Sequence, residues 1–82
     1  MYIINQNSKT PLHIQLFDEL KNDIISNLNV GDKLPSIRKT ASTYNLSKNT
    51  VQSSYSQLYA EGYINSYTKS GYFVSDTKYK KL

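Results

Sequence analysis

The fold is decided by residues 36–62, which read SIRKTASTYNLSKNTVQSSYSQLYAEG. This stretch opens on Ser36, and a second serine, Ser47, comes just after Asn45. Serine caps helix N-termini, and asparagine tolerates the left-handed backbone of a tight turn between helices. The pattern therefore predicts a short helix after Ser36, a turn, and a longer helix from Ser47 to Gly62.

Apolar residues at helical spacing support both helices. They are Ile37, Ala41 and Tyr44 in the first helix and Val51, Tyr55 and Leu58 in the second, with Tyr59 at the edge of the second stripe. Ala41 is small enough for the helices to approach closely, and Leu46 is expected to fill the core from the turn. Two short helices joined by a turn of roughly three or four residues form a helix-turn-helix unit.

Another amphipathic helix is predicted upstream of this unit. We expect Thr10 to cap it, because threonine is a good N-cap and Pro11 suits the first helical position. Its core stripe consists of Leu12, Leu16, Leu20, Ile24 and Leu28, widened by Ile14 and Phe17. Gly31 and Asp32 end the helix, and Pro35 prevents Leu34 from continuing it.

A hairpin is predicted downstream. Residues 63–67 and 72–74 are rich in β-formers, and residues 68–71 between them are turn formers. The fold class is therefore mainly α with a small β-hairpin, a winged helix-turn-helix of three helices plus a wing. Within it, Tyr63, Ile64 and Phe73 are expected in the core. The predicted organisation is an N-terminal arm or short strand (1–10), the winged helix-turn-helix domain (11–75), and a tail or start of a linker (76–82).

Composition excludes several classes of protein. The chain has 82 residues, room for one domain, and its mean hydropathy is -0.59. It has no cysteine for a disulfide or thiolate metal site, and no apolar run approaching the ~20 residues that cross a bilayer. Its start lacks the regions of a signal peptide, so a cytoplasmic location is expected. His13 lacks a catalytic partner, and Glu19 and Asp23 fall on a solvated helix face, so no enzyme is predicted.

The net charge of +4 is unevenly distributed. Residues 11–35 carry a net charge of −2, whereas residues 36–75 carry +3 from Arg38, Lys39, Lys48 and Lys69 against Glu61. The positive charge therefore lies in the second half, where an anionic partner would bind.

The outward face of the helix over residues 47–62 indicates the partner. Asn49, Gln52, Ser53 and Ser56 form a stripe without charge, whereas a solvated helix face normally carries Glu and Lys pairs. Amides pair with adenine edges in the major groove and serine contacts several bases, while Lys48 is placed to meet a phosphate. This face predicts a recognition helix for double-stranded DNA.

The hairpin tip and the second helix offer further contacts. Lys69, Ser70 and Gly71 can meet phosphate or an adjacent minor groove, with glycine permitting close approach, although a hairpin that only seals the core stays an alternative. Arg38 lies in the first turn of the second helix, where it either reaches the DNA backbone or is a solvated arginine. The wing is expected over residues 66–72.

These residues, in this order and spacing, resemble the N-terminal DNA-binding domain of the GntR family of bacterial transcription regulators over residues 10–74. The motifs are Pro11-Leu12 with Gln15, GDKLPSIR (31–38), NLSKNTV (45–51), Tyr55 with Leu58, EGYI (61–64) and GYFV (71–74). The resemblance implies operator contacts by Arg38, Lys48, Asn49, Thr50 and Gly71. Together with the residue chemistry, the candidate DNA-binding set is Ser36, Arg38, Ser47, Lys48, Asn49, Thr50, Gln52, Ser53, Lys69, Ser70 and Gly71.

Within the family the motifs look most like the MocR group, with the YtrA-like group as the competing assignment. MocR regulators join this domain to a large pyridoxal-phosphate-binding domain of aminotransferase fold, so that cofactor is expected outside this domain and none within it. A homodimer is expected, formed either on operator DNA or through a further C-terminal domain. The chain departs from the family at Lys48 and Gln52, where arginine is common, at Lys69, where glycine is common, and at Thr40, where the usual leucine would make a stronger core contact.

Two other functions account for parts of the sequence. A winged helix used for protein–protein contact would be favoured by an acidic or apolar third-helix face, which this sequence lacks. Eight tyrosines suggest stacking on single-stranded nucleic acid. Five of them, however, fall at or beside predicted core positions: Tyr44, Tyr55, Tyr59, Tyr63 and Tyr72.

Overall fold

The computed structural model describes residues 2–76, which form three helices followed by a two-stranded antiparallel hairpin. The elements are α1 (Leu12–Ser26), α2 (Ile37–Tyr44), α3 (Lys48–Ala60), β1 (Ile64–Tyr67) and β2 (Gly71–Val74). This order confirms the predicted fold class. The predicted tail, residues 76–82, lies outside the described residues except for Asp76.

Both helices of the helix-turn-helix begin where the serines predict. The Ser36 hydroxyl accepts from the Lys39 amide at 3.1 Å, and the Ser47 hydroxyl accepts from the Thr50 amide at 3.0 Å. Between them Asn45 adopts the left-handed conformation, with φ 54° and ψ 49°. Each cap satisfies an amide that the first helical turn leaves without a partner, so local side chains define both ends of the turn.

The start of α1 differs from the prediction. Pro11, not Thr10, occupies the cap position, with φ −54° and ψ 145° and no side-chain capping bond. Proline is compatible with this place because its φ is suitable and it has no N–H to satisfy. The Thr10 carbonyl instead accepts from the side chain of Gln15 at 2.8 Å. The helix ends at Ser26, two residues before Leu28, the last residue of the predicted stripe. The Asp23 carbonyl there accepts from the amides of both Asn27 and Leu28.

The core lies between the three helices and the inner face of the hairpin. Its buried apolar residues are Leu16, Phe17, Leu20, Ile24, Leu34, Ala41, Leu46, Val51, Tyr55, Leu58, Tyr63, Ile64 and Val74. Tyr55 is fully buried at the centre, and the edge-to-face contact between its ring and that of Tyr72 has a centroid distance of 5.0 Å. Tyr59, expected at the edge of the core, is 56% exposed and therefore contributes little to it.

Thr40 has a different role from the weakened core contact that the family resemblance suggests. Its hydroxyl is buried and lies 2.9 Å from the hydroxyl of Tyr55, which donates to the Pro35 carbonyl at 2.8 Å. A leucine at this position would leave the tyrosine oxygen without that partner. The chain therefore combines a polar residue on α2 with a polar tip on α3, and the two hydroxyls satisfy one another.

The hairpin is extended by the segment that precedes α2. β1 pairs with β2 so that Ile64 faces Val74 and Asn65 faces Phe73. Along the other edge of β2, the Leu34 amide donates to the Tyr72 carbonyl at 2.8 Å. Phe73, expected in the core, is only half-buried and packs on the outer face against Tyr67 at 5.6 Å. The alternation of a strand places it opposite to Tyr72 and Val74.

The arm preceding α1 contains neither helix nor strand over residues 2–10. The side-chain oxygen of Gln15 accepts from the Asn5 amide at 2.7 Å, and its nitrogen donates to the Asn5 carbonyl at 2.9 Å. Tyr2 stacks on Tyr44 at 5.5 Å and donates its hydroxyl to Asp23 at 2.7 Å. Burial, and then this hydrogen bond, raise the pKa of Tyr2 above its ordinary range. The arm is thus bound along α1 and the end of α2.

Candidate nucleic-acid interface

The outward face of α3 is polar and uncharged, as the sequence predicts. Asn49, Gln52, Ser53 and Ser56 are all exposed on it. Val51 and Leu58 on the inward face are fully buried. Tight burial of one side of the helix holds the other side in a single orientation, so the four polar side chains project together from a rigid element.

The hydrogen bonds of this face leave most of its donors and acceptors available. The Gln52 amide donates to the Ser56 hydroxyl at 3.2 Å, one helical turn away. The side chains of Asn49 and Ser53 make no hydrogen bond to other residues in the described part of the chain. A face of this kind can pair with donors and acceptors on a partner without first breaking strong internal bonds.

Ser47 and Thr50, both in the candidate set, are engaged with each other. Besides the capping bond, their hydroxyl oxygens lie 2.8 Å apart. One of the two O–H groups donates within the pair, which leaves the second O–H for an external acceptor. The two residues therefore define the start of α3 and still present one donor beside Lys48, which is exposed.

The start of α2 and the wing lie along one groove. Ser36 is exposed and lines a groove of about 450 Å³ together with Lys33, Leu34 and residues 66–72. Arg38, in the first turn of α2, is also exposed. The structure thus brings the predicted wing residues and the N-cap of α2 together, although they are 30 to 36 positions apart in the chain.

The wing tip has an unusual backbone. Lys69 adopts a φ of +69° and Gly71 a φ of +112°, and the Ser70 amide closes the turn by donating to the Tyr67 carbonyl at 3.0 Å. A left-handed φ suits glycine and costs another residue roughly 1 kcal/mol. This gives a physical reason for the glycine that the family resemblance leads one to expect at position 69. Here lysine accepts the strain and places an exposed cation at the tip.

Positive charge is concentrated around these elements. The exposed cations near them are Lys33, Arg38, Lys39, Lys48 and Lys69, and no ion pair forms between residues of the described part of the chain. The acidic side chains Asp18, Glu19 and Asp23 lie on α1 instead. An anion approaching the start of α2, the start of α3 and the wing tip would therefore meet cations, while the remaining described carboxylates, Asp32, Glu61 and Asp76, lie at the base of the wing and the end of α3.

Sequence reasoning missed two features next to this face. Ser54 is fully buried, and its hydroxyl donates to the His13 carbonyl of α1 at 2.7 Å, which ties the two helices together. Ser54 lies three residues after Val51 on the core stripe of α3, so helical periodicity could have predicted its burial. Lys33 also lines the wing groove, but only the pairing of its segment with β2 reveals this.

Other chemistry finds little support among residues 2–76. No group of three or more His, Asp or Glu side chains there is arranged to hold a metal ion. No helix in this range has the length and apolar character needed to span a membrane.

Comparison with known proteins identifies the family of this chain. Residues 12–74 match the family model described as bacterial regulatory proteins, gntR family. The chain belongs to the gntR family. Since the match runs from the first residue of α1 to the last of β2, it covers all three helices and the wing.

Two relatives of this gntR-family chain are much longer than it is. It is 37% identical over 76 residues to the helix-turn-helix-type transcriptional regulator YhdI of Bacillus subtilis, covering 92% of the chain and 16% of that protein. It is 34% identical over 76 residues to the probable rhizopine catabolism regulatory protein MocR of Rhizobium meliloti, covering 92% and 15%. The chain thus spans about a sixth of these two proteins, and a MocR protein is among its relatives, in line with the predicted group.

A solved structure confirms the winged helix. YtrA from Sulfolobus acidocaldarius, a GntR-family transcription factor, superimposes with a TM-score of 0.84 at 38% identity, covering 92% of this chain and 80% of that one. The competing YtrA-like group is therefore also represented among proteins similar to this gntR-family domain.

Proposed function

We propose that this chain binds double-stranded operator DNA as the sequence-reading domain of a cytoplasmic transcription regulator. In this proposal α3 lies in the major groove, and the wing, residues 66–72, contacts the adjacent backbone or minor groove. The observation that carries it is the exposed, uncharged polar face of α3, framed by cations that have no acidic partner in the described part of the chain.

The dimensions and chemistry of that face suit a major groove. The groove of B-DNA is about 12 Å wide and admits one helix. Asn49 and Gln52 present amides that can bond an adenine edge in two places, and Ser53 can contact several bases. Because lysine stands at position 48 and glutamine at 52, the face is suited to adenine-containing sites more than to the guanine sites that arginine reads.

The proposal assigns different tasks to Gln52 and Arg38. Gln52 lies in the middle of the reading face and supplies sequence choice, whereas Arg38 lies at the start of α2 and supplies affinity through phosphate. We expect Gln52→Ala to reduce the ratio of specific to scrambled affinity by roughly tenfold, the value of about 1–3 kcal/mol for a base pair contact. Arg38→Ala is expected to weaken binding to all duplexes alike.

The test begins with selection of a preferred site from randomised duplexes. Affinities of the wild type and both variants are then measured by fluorescence anisotropy for that site and a scrambled duplex across a salt series. Gln57→Ala is the matched control, because Gln57 lies on the same helix but bonds to Glu61 away from the reading face. Equal, salt-insensitive wild-type binding to both duplexes would overturn the proposal, and equal losses in both variants would overturn the division of tasks.

The regulator is proposed to act as a homodimer, with one copy of this domain on each operator half-site. Stoichiometry measured by analytical ultracentrifugation on duplexes with one and two half-sites tests this, and a single copy on two half-sites would contradict it. Pyridoxal phosphate is proposed only for a further domain of a MocR-type regulator. The described residues do not fit it, because none of their lysines is buried to form a Schiff base.

A further inference from the structure

Lys33 occupies a place on the wing that none of its sequence neighbours reveals. It lies in the segment before α2 and pairs across from Phe73 on the outer edge of β2. The amide of Leu34 and the carbonyl of Asp32, on either side of it, bond to Tyr72 and Val74 at 2.8 Å each. Two backbone hydrogen bonds therefore fix the register, and the starting point of the Lys33 side chain with it.

The Lys33 side chain runs along the hairpin towards its tip. Its ammonium lies 6.0 Å from the centre of the Phe73 ring, and a Cβ placed on Gly71 would come within 3.2 Å of the Lys33 Cε. Gly71 is two residues closer to the tip than Phe73, so the lysine stem passes close against Gly71, where an added Cβ would require the stem to shift slightly. The charge is thus delivered from the base of the wing to the residues at its tip.

The environment leaves this charge for an external anion. Lys33 is exposed and lines the same groove as Ser36 and Lys69. Its sequence neighbour Asp32 accepts from the Asn29 amide at 2.8 Å, and no ion pair forms within residues 2–76. An ammonium held beside an aromatic ring and a glycine, without a carboxylate, is arranged to meet a negative group.

We propose that Lys33 binds a backbone phosphate of the DNA on the wing side of the domain. This rests on the proposed function and adds a contact that is absent from the candidate set assembled from the sequence. Lysine is a compact point charge that meets phosphate without demanding one geometry, so the contact supplies affinity and position but no base choice. It links the wing to the start of α2, since both line the groove that the phosphate would enter.

The salt dependence of binding measures this contact directly. Each neutralised phosphate contributes about 0.9 to the slope of log affinity against log salt. Lys33→Gln should therefore make the salt dependence shallower, reducing the magnitude of the slope by about 0.9 for the selected site and the scrambled duplex alike. The affinity deficit of Lys33→Gln relative to the wild type should therefore shrink by roughly 3.5-fold between about 50 and about 200 mM salt, because a fourfold rise in salt raised to the power of about 0.9 is about 3.5. Lys33→Arg should restore the slope.

Two controls separate the contact from other causes. Lys21→Gln removes the same charge from α1, where Lys21 lies over the rings of Phe17 and Tyr63, and should leave the slope unchanged. Urea unfolding of Lys33→Gln should match that of the wild type, because the side chain is exposed. If any variant unfolds more easily, its slope is measured only at temperatures where it is fully folded.

The outcomes distinguish this inference from the function on which it rests. Wild-type protein that binds no duplex refutes the proposed function itself. Wild-type protein that binds with a salt slope unaltered by Lys33→Gln refutes the Lys33 contact alone. A loss confined to the selected site also refutes it, because a phosphate contact acts on every sequence.

Discussion

Replacing Tyr55 by phenylalanine removes one oxygen from the centre of the molecule. That oxygen donates to the Pro35 carbonyl at 2.8 Å and lies 2.9 Å from the hydroxyl of Thr40. Since Tyr55 belongs to α3 whereas Pro35 and Thr40 flank and begin α2, the oxygen ties together the two helices of the helix-turn-helix. The ring itself stays, so the packing against Tyr72 is preserved.

The expected loss follows from the partners that remain. Each hydrogen bond contributes about 1 kcal/mol net, and a buried polar group left without a partner costs about 1–3 kcal/mol. Thr40 can turn its hydroxyl to the carbonyl one helical turn earlier, and Pro35 is exposed enough for water to reach it. Because both groups have these alternative partners, the destabilisation is expected at the low end of that range. We therefore expect a destabilisation of about 2 kcal/mol, or a fall in Tm of roughly 8–16 °C for a domain of this size.

Urea unfolding followed by far-UV circular dichroism measures the free energy of unfolding of each variant. Thr40→Val, the matched partner, should cost about 1 kcal/mol, because Tyr55 keeps its bond to Pro35. The double variant should cost about 1 kcal/mol less than the sum of the two single variants, since removing both the Thr40 and the Tyr55 hydroxyls leaves neither one buried without its partner. A Tyr55→Phe protein within about 0.5 kcal/mol of wild type, or additive losses, would refute the reasoning.

Three more outcomes are expected. Burial raises the pKa of Tyr55 above its ordinary 10.0. The unfolded chain therefore loses this proton first, and stability should fall above pH 10 with a slope that Tyr55→Phe makes shallower by up to about 1.4 kcal/mol per pH unit. Gln15→Ala should cost about 1 kcal/mol and remove the hydrogen-exchange protection of the Asn5 amide. Ser54→Ala should cost about 1–2 kcal/mol, and the exposed Ser53→Ala less than about 0.5, in urea unfolding.

Each of these has an outcome that contradicts it. Parallel alkaline profiles for Tyr55→Phe and wild type would show that the Tyr55 proton does not contribute. An Asn5 amide that stays protected in Gln15→Ala would mean that other contacts hold the arm. Equal stability of the Ser54 and Ser53 variants would remove the proposed tie between α3 and α1.

Much of the fold was predictable because it depends on local chemistry. Ser36, Ser47 and Asn45 act within three or four residues of their own positions, and the structure has their caps and turn where the sequence places them. The start of α1 was not predictable in this way. Thr10 has the chemistry of a cap, but the folded arm uses its carbonyl to bind Gln15, and propensity alone does not report that competing contact.

The candidate site shows the same division. That Asn49, Gln52 and Ser53 share an exposed face follows from helical periodicity, and the structure confirms their exposure. That Ser36 shares a groove with the wing does not follow from any spacing, because residues 31–34 must first pair with β2.

The sequence by itself therefore determined the order of elements, the turn, the core stripes and the uncharged polar face of α3, since each arises from interactions within one or two helical turns. Only the tertiary structure decided that Thr40 serves as a partner of Tyr55, that Tyr59 and Phe73 stay near the surface, and that Lys33 reaches the wing tip. These outcomes depend on which distant segments come into contact. A side chain's role there depends on partners that its own neighbourhood in the chain does not contain.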